Sequence, residues 1–568
     1  MNWKTNYDLW LKQDLTKELR DQLTTLASNE VALENAFAQN ISFGTAGMRG
    51  LMGPGLNYLN IYTVKRVTEG LANYIDDQEI TNKQVVISYD SRINSTLFAK
   101  TAAKVLTAHG IHCYLFDDVR PTPELSYAVR YLHCCMGIMI TASHNPKEFN
   151  GYKVYGSDGS QISPTIADMI VKLMPAAEDI FTIPEFSENE MQQKALLTIL
   201  DHKIDQSYLN QVDSILDHEK VKEDIKNKLK IVYTPLHGTG CKLAKECFSE
   251  AGFSNVFFVK EQWKPDGNFP TVIHPNPEFE EAFQLAIQLA KQNDADIIFA
   301  TDPDADRLGI GIKRNDGEYQ LLTGNEIATL ILNYLLTEKT VPENPLVIKS
   351  IVSTELISDI AKANGIKVVN VLTGFKFIAE KIAQFEKTDT NYLFGFEESY
   401  GYLIKPFVRD KDGIQSMAML AEMAAFYLSK GQTLLDVLTQ IYNQYGFYHE
   451  RTIQISFHEY EKDAKIKLIM DKFKTKISSF NNIPVVKIQD YLLSKVIDPL
   501  NNTENILDLP KSNVMKFYLE DGSWIAVRPS GTEPKLKVYV EAKGDSKSES
   551  LNKLNDFERY LRKNFLSN

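Results

Sequence analysis

Three aspartates at alternate positions of "TDPDADRLG", Asp302, Asp304 and Asp306, carry the strongest chemical signal in the chain. Their carboxylates converge if the loop curls, and three clustered carboxylates repel one another unless a cation neutralises them. With no Cys or His nearby, an all-oxygen set suits Mg2+ or Ca2+ better than zinc. An EF-hand does not fit: Arg307 stands where that loop needs Gly, Lys313 where it needs Glu, and apolar strands flank it instead of helices. A solvated acidic turn is the plainer alternative. The wedging of three alternating carboxylates between apolar strands favours the metal.

A second loop, "GIMITASHNPKEFNGYK", places Ser143 and His144 after an apolar run and closes on a proline and a glycine-bearing turn. A metal held by three carboxylates keeps room for a phosphate oxygen. A serine hydroxyl is a poor nucleophile unless activated, but a phosphoserine is a phosphoryl donor whose charge a divalent cation balances. Alone, the motif reads as a turn in which Ser143 caps a helix. Beside a metal loop, Ser143 reads as the phosphoryl carrier.

Two further loops handle polar groups. In "RPSGTEPKLK", Arg528, Ser530, Thr532 and the Gly531 N–H supply a guanidinium fork, two hydroxyls and an amide concavity, the ingredients of an anion nest, with Lys535 and Lys537 close by. No GxxxxGK[ST] occurs, so no nucleotide P-loop is indicated. In "FGFEESYGY", Glu397 and Ser399 stand where neutral hydroxyls could be bound; adjacent carboxylates and a serine are unspecific, and without the repeat a plain surface turn is an equal reading.

The elements that must position these loops repeat three times in the same order. The copies run from "QVVIS" to "GIMIT", from "LKIVYTP" to "DIIFAT" and from "PLVIKS" to "YLFGF", each built as strand, turn, helix, strand, helix, strand. The first helix of each copy stops at a glycine, Gly110, Gly252 or Gly365, which suits a left-handed C-cap. Continuous apolar strands between amphipathic helices predict buried, mostly parallel sheets, whose strand ends are where open α/β sheets place ligands. After about residue 446 short alternating strands and a closing helix near "LNKLNDFERYLRKNF" predict a smaller α+β unit. The expected fold is therefore α/β: three similar domains with mixed, mostly parallel sheets at 41–205, 206–318 and 319–445, an α+β domain at 446–568, and a helical lead-in at 1–40.

Bulk properties narrow the partners. A chain of 568 residues exceeds one core, and a net charge of −12 without a Lys/Arg block argues against nucleic acid or an anionic membrane. No apolar stretch approaches the ~20 residues that span a bilayer, and the N-terminus lacks a signal-peptide pattern, so a cytoplasmic protein is expected. Five cysteines without CxxC spacing predict reduced, buried thiols.

Together these stretches resemble the α-D-phosphohexomutase family, on the side of its longer phosphoglucomutases. The motifs carrying the resemblance are "FGTAGMRG", "YDSR", "TASHNP" with "NGYK", "TPLHGTG", "DPDADR", "TGFK", "GFEESYGY" with "KDG", and "RPSGTEPK", across roughly residues 40 to 545. The resemblance implies that Ser143 is phosphorylated and, with Asp302, Asp304 and Asp306, holds Mg2+. It implies that Arg49, His144, Lys153 and Arg307 surround the transferring phosphoryl group and handle the hydroxyl proton. Glu397, Ser399 and Lys376 would hold the sugar, and Arg528, Ser530, Gly531 and Thr532 would clamp the phosphate not being transferred. Many shorter relatives carry a histidine after the GEES of the sugar loop; here Tyr400, Gly401 and Tyr402 follow Ser399.

The implied activity is interconversion of glucose 1-phosphate and glucose 6-phosphate, with glucose 1,6-bisphosphate as intermediate and activator, in a monomer or homodimer. A phosphomannomutase or phosphopentomutase of the same family is the nearest alternative. A metal-dependent sugar-phosphate phosphatase would need water at the phosphoserine and typically a second metal, and a non-catalytic sugar-phosphate-binding protein would not need Ser143.

Overall fold

The computed structural model describes residues 3–44, 47–457, 461–475, 477–530 and 535–566. Two compact units divide the chain: 1–324 with 382–384 and 399–433, and 325–381 with 385–398 and 434–568.

The first unit holds two mixed sheets. Strands β1 (Gly47–Leu51), β2 (Gln84–Tyr89), β3 (His112–Phe116), β4 (Met136–Ile140), β5 (Phe149–Gly156) and β6 (Leu197–Leu200) take the order β1-β5-β4-β2-β3-β6. β2 pairs parallel with β3 and β4, whereas β5 runs antiparallel to both β4 and β1. The second sheet, β7 (Ile231–Thr234), β8 (Val256–Phe258), β9 (Ile297–Thr301), β10 (Leu308–Lys313) and β11 (Tyr319–Leu321), has the order β11-β10-β9-β7-β8. β2, β4, β7 and β9 are almost wholly buried, which is why they read as unbroken apolar runs.

One expectation needs correcting. Asn150 and Gly151 do not form a turn after "SHNP"; they lie inside β5, where Arg49 pairs with Gly151. A Cβ at Gly151 would stand 2.4 Å from the carbonyl oxygen of Thr141, so glycine is there for close strand approach.

Ahead of these sheets, helices Trp3–Leu11, Lys17–Leu26 and Glu30–Phe37 bury Trp10 and Phe37 against Tyr62 and Phe181. The helix Gly413–Ser429 also belongs to this unit and contacts β9, β10 and the helix Gly240–Glu250. It is buried nearly all round, so it shows no amphipathic stripe. Asp412 caps it, accepting from the N–H of Ile414 and Gln415 at 2.9 and 3.0 Å.

The second unit holds β12 (Pro345–Ser350), β13 (Lys367–Val371) and β14 (Asn391–Glu397), with β12 parallel to both others. It also holds the C-terminal antiparallel sheet, where Phe447–Ser456, Lys535–Gly544, Trp524–Pro529 and Met515–Leu519 are neighbours and the helix Lys547–Asn564 packs on the first two. The expected three α/β domains and the α+β domain are all present. The repeat glycines Gly110, Gly252 and Gly365 have φ of +73°, +83° and +67°, as left-handed caps require. All five cysteines are free.

Candidate active site

The loop after β9 turns because Asp302 and its neighbours bond within it: the Asp302 carbonyl accepts from the Ala305 N–H at 2.9 Å, and Ala305 takes a left-handed φ of +51°. Neighbouring backbone closes on it tightly. The Thr239 N–H donates to the Pro303 carbonyl at 2.8 Å and the Gly413 N–H to that of Ala305 at 3.1 Å. A Cβ at Gly238 or Gly413 would lie 2.4 Å from Pro303 Cα or 2.7 Å from the Ala305 oxygen, which accounts for the glycines of "LHGTG" and "KDG".

This curl brings one carboxylate oxygen from each of Asp302, Asp304 and Asp306 within 4.8 Å of the others, all three residues buried. The oxygens divide their duties. Asp304 Oδ2 accepts from Lys153 Nζ at 2.9 Å, and Asp306 Oδ2 lies 2.7 Å from Lys411 Nζ. Asp304 Oδ1 and Asp306 Oδ1 are buried with no hydrogen-bond partner. Burial and mutual repulsion raise Asp302 well above the usual carboxylate range and raise Asp306 as well. Burial pushes Asp304 the same way, but Lys153 and Lys411 more than offset it and hold Asp304 low. Buried carboxylate oxygens without hydrogen-bond partners, in a cluster of three carboxylates with no sulfur or imidazole donor, fit a hard divalent cation.

Ser143 meets this cluster directly. Its Oγ donates to Asp302 Oδ2 at 2.7 Å and lies 3.0 Å from His144 Nδ1. The residue is 2% exposed and has φ of +53°, a conformation that costs a non-glycine residue about 1–2 kcal/mol. What holds it is the motif "YDSR". The Arg92 guanidinium donates to the carbonyls of Ser143 at 2.6 Å, Pro146 at 2.8 Å, Phe149 at 2.9 Å and also Asn145. Asp90 in turn accepts from Thr141 Oγ1 at 2.6 Å and Ser95 Oγ at 2.7 Å. Burial, then the Arg307 and Arg49 guanidiniums, pushes the His144 imidazole well below its ordinary value.

Of the sequence-derived catalytic positions, Ser143, His144, Lys153 and the three aspartates converge in the first unit. Arg49 joins through Asn145, donating from Nη1 to Oδ1 at 2.9 Å. Arg307 gives its backbone N–H to Asp302 Oδ1 at 3.0 Å, and its guanidinium pairs with Glu278. Ser399 lies in this unit too. Sequence reasoning gave no role to Lys411, although "KDG" was the available signal, nor to Arg92, whose signal was the Asp-x-Arg at the end of β2.

The second unit brings Glu397 and Arg528 to Thr373 and Gly374, just ahead of the helix Phe375–Phe385 that carries Lys376. Glu397 Oε1 accepts from the Gly374 N–H at 2.6 Å, and Arg528 donates to the Thr373 hydroxyl. Lys376 Nζ is buried with no hydrogen-bond partner, and burial draws its ammonium down to about 8. The Ser530 N–H donates to the Lys535 carbonyl at 2.8 Å; Gly531 and Thr532 lie outside the described residues.

Four consecutive stretches match one family: "Phosphoglucomutase/phosphomannomutase, alpha/beta/alpha domain I" at 40–180, domain II at 206–317, domain III at 323–445, and its C-terminal domain at 482–554. The chain belongs to this family, the α-D-phosphohexomutases. It is 38% identical to a phosphoglucomutase of Staphylococcus aureus over 94% of this chain and 95% of that one, and 38% identical to one of Staphylococcus haemolyticus over 95% and 96%. In structure it resembles a putative phosphomannomutase from Thermus thermophilus, with a TM-score of 0.70 at 21% identity over 92% of this chain and 99% of that one. It also resembles the open form of pp63/parafusin from Paramecium, with a TM-score of 0.71 at 19% identity over 93% and 96%. Likeness at those identities shows the phosphohexomutase fold. The chain is a mutase, an isomerase, with an acidic group able to hold a metal ion. No helix among the described residues is long and apolar enough to cross a membrane.

Proposed function

We propose that the protein is a cytoplasmic α-phosphoglucomutase that interconverts glucose 1-phosphate and glucose 6-phosphate through phospho-Ser143 and glucose 1,6-bisphosphate. The observation that carries this reading is the 2.7 Å hydrogen bond from Ser143 Oγ to Asp302 inside the three-aspartate cluster. A hydroxyl so placed delivers its phosphoryl group next to a site able to balance the charge.

Asp302, Asp304 and Asp306 would hold Mg2+ with an oxygen of phospho-Ser143, and the ion would supply charge neutralisation at the phosphoryl oxygens. The chain does the rest. Arg92 fixes the loop so that the serine oxygen, and not its backbone, faces the cluster. Lys153 lies against Asp304 Oδ2 and Lys411 against Asp306 Oδ2, and both add positive charge to the site. Arg49 and Arg307 contribute guanidiniums for the equatorial phosphoryl oxygens, where charge builds up in the transition state.

A free hydroxyl of the sugar phosphate attacks phosphorus, the bond to Ser143 Oγ breaks, and the hydroxyl proton passes to a base of the site. His144, with Nδ1 3.0 Å from Ser143 Oγ, is placed to exchange a proton with that oxygen. The bisphosphate then turns around and returns its other phosphate to Ser143. Glu397, Ser399 and Lys376 hold the sugar in this scheme, while Arg528, Ser530, Gly531 and Thr532 clamp the idle phosphate.

Ser143→Ala tests the reading. The variant should fold, since Asp302 keeps the Arg307 N–H, and it should lose turnover and the phosphate adduct in the intact mass. Near-normal turnover would reject the carrier role. Comparing glucose, mannose, glucosamine and ribose 1-phosphates as substrates of the unmodified enzyme decides the sugar.

A further inference from the structure

Thr122 lies in "RPTPEL", a stretch to which neither the sequence motifs nor the mechanism gives a task. It opens the helix Thr122–Tyr131 and is fully buried. Two donors of this one residue grip one aspartate 182 residues away. Its N–H donates to the Asp304 carbonyl at 2.9 Å, and its Oγ1 donates to Asp304 Oδ2 at 2.8 Å.

The grip is backed by a rigid support. Pro121, with φ of −62°, precedes the helix, Pro123 follows Thr122, and no side chain caps the first turn. The Asp304 carbonyl therefore satisfies a helix N–H that has no intrahelical partner. Arg120, one residue earlier, is anchored by its N–H to the Tyr89 carbonyl at 3.1 Å and by Nε to Asp205 Oδ1 at 2.8 Å. The start of the helix is thus tied to the end of β2, the strand that leads into Asp90.

Lys153 and Thr122 both donate to Asp304 Oδ2, which leaves Oδ1 buried without a hydrogen-bond partner and available as a ligand. A lysine ammonium on a flexible stem fixes charge but not direction. A hydroxyl on a β-branched residue at a proline-bracketed helix start fixes direction. We infer that Thr122 is a positioning residue that orients the Asp304 carboxylate for the divalent cation. The inference rests on the metal reading of the three aspartates.

Its test is Mn2+ affinity, read by electron paramagnetic resonance on metal-stripped full-length protein, with thermal unfolding in chelator as the check on folding. Partners that orient a metal ligand change affinity by roughly 10–100-fold when removed. T122V, which keeps the shape and removes the hydroxyl, should weaken Mn2+ binding by about tenfold or more, whereas T122S should stay within about threefold of the parent. The Mg2+ concentration for half-maximal turnover should rise in T122V while kcat at saturating Mg2+ changes little. D304N is the control. If D304N leaves Mn2+ affinity intact, the metal reading itself is wrong; if D304N weakens it and T122V does not, the positioning role is overturned. Equal weakening in T122V and T122S also overturns it, since that marks a packing role. Should T122V fail to fold, T122A against T122S makes the same comparison.

Discussion

The Arg92 guanidinium donates at 2.6 Å to the carbonyl oxygen of Ser143, so a residue that holds the Ser143 loop lies on the β2 loop and not within the motif itself. Arg92 and Asp90 side chains are both fully buried, with Nε 3.4 Å from Asp90 Oδ2. Burial raises the Asp90 carboxyl, and the guanidinium works against that rise. Arg92→Met would leave this carboxylate and four loop carbonyls without the guanidinium. Breaking a buried charge pair from one side costs about 3–5 kcal/mol. Denaturant unfolding should show a loss of that order, and phosphate incorporation at Ser143 should fall with it. An unchanged midpoint would mean the loop holds itself.

Removing the cation gives a second prediction, for activity and for stability. Excess chelator should abolish turnover. Asp306 is buried beside Asp304, and both burial and that neighbour raise its carboxyl, while Lys411 and Lys153 work against the rise. Asp306→Asn relieves that repulsion but also takes the carboxylate away from Lys411, so in chelator the two changes oppose each other, and the informative quantity is the gain in stability on adding Mg2+. Mg2+ at a hundred times its dissociation constant should stabilise the parent by about 2.7 kcal/mol, and the variant should gain much less. Thermal scans with and without Mg2+ measure both effects, and equal Mg2+ stabilisation of the two proteins would remove Asp306 from the ligand set.

A third prediction concerns acid. His449 stacks on Tyr442 and its Nδ1 lies 2.7 Å from Ser550 Oγ. Burial, helped by Lys547, lowers its imidazole to about 4 from an unfolded value near 6.5. Between those values the unfolded chain binds a proton that the folded chain refuses, so stability falls as pH drops through that window and levels off below it. His449→Asn should flatten the slope between about pH 6.5 and 4 relative to the parent. Parallel slopes in urea unfolding across that range would rule His449 out as the titrating group.

The sequence made some of this site plain and hid the rest for a physical reason. Ser143, His144 and the aspartates were readable because each motif sits on one strand-end loop, where residue type and spacing carry the chemistry. The three α/β domains were readable because buried parallel strands are apolar throughout and end at glycine-capped helices. Thr122 and Lys411 were not, since a threonine in "PTP" or a lysine in "KDG" acquires meaning only when folding sets it against an aspartate far along the chain. β5 was missed because Asn150 and Gly151 are turn-formers by propensity, and only the crowding against Thr141 explains a glycine inside a strand. The buried helix Gly413–Ser429 has no polar face, so periodicity could not say which unit it joins.

The last prediction tests the turning of the bisphosphate through Arg528, whose guanidinium donates to Thr373 beside Gly374 and Glu397. If one phosphate clamp serves both orientations, Arg528→Ala must slow phosphoryl transfer from phospho-Ser143 to glucose 1-phosphate and to glucose 6-phosphate alike. The overall equilibrium ties kcat/KM in the two directions together, so steady-state rates alone cannot distinguish a shared anchor from a one-sided one. Rapid-mixing half-reactions with each monophosphate can. Loss of a charge-assisted contact should cost about 1.5–3 kcal/mol, or roughly one to two decades in each half-reaction. The bisphosphate should also leave more often before it turns, draining the phosphoenzyme. Added glucose 1,6-bisphosphate should then restore part of the steady-state rate by rephosphorylating Ser143. A half-reaction defect confined to one monophosphate would mean that Arg528 anchors a single orientation and that another cation of the second unit, such as Lys376, serves the other.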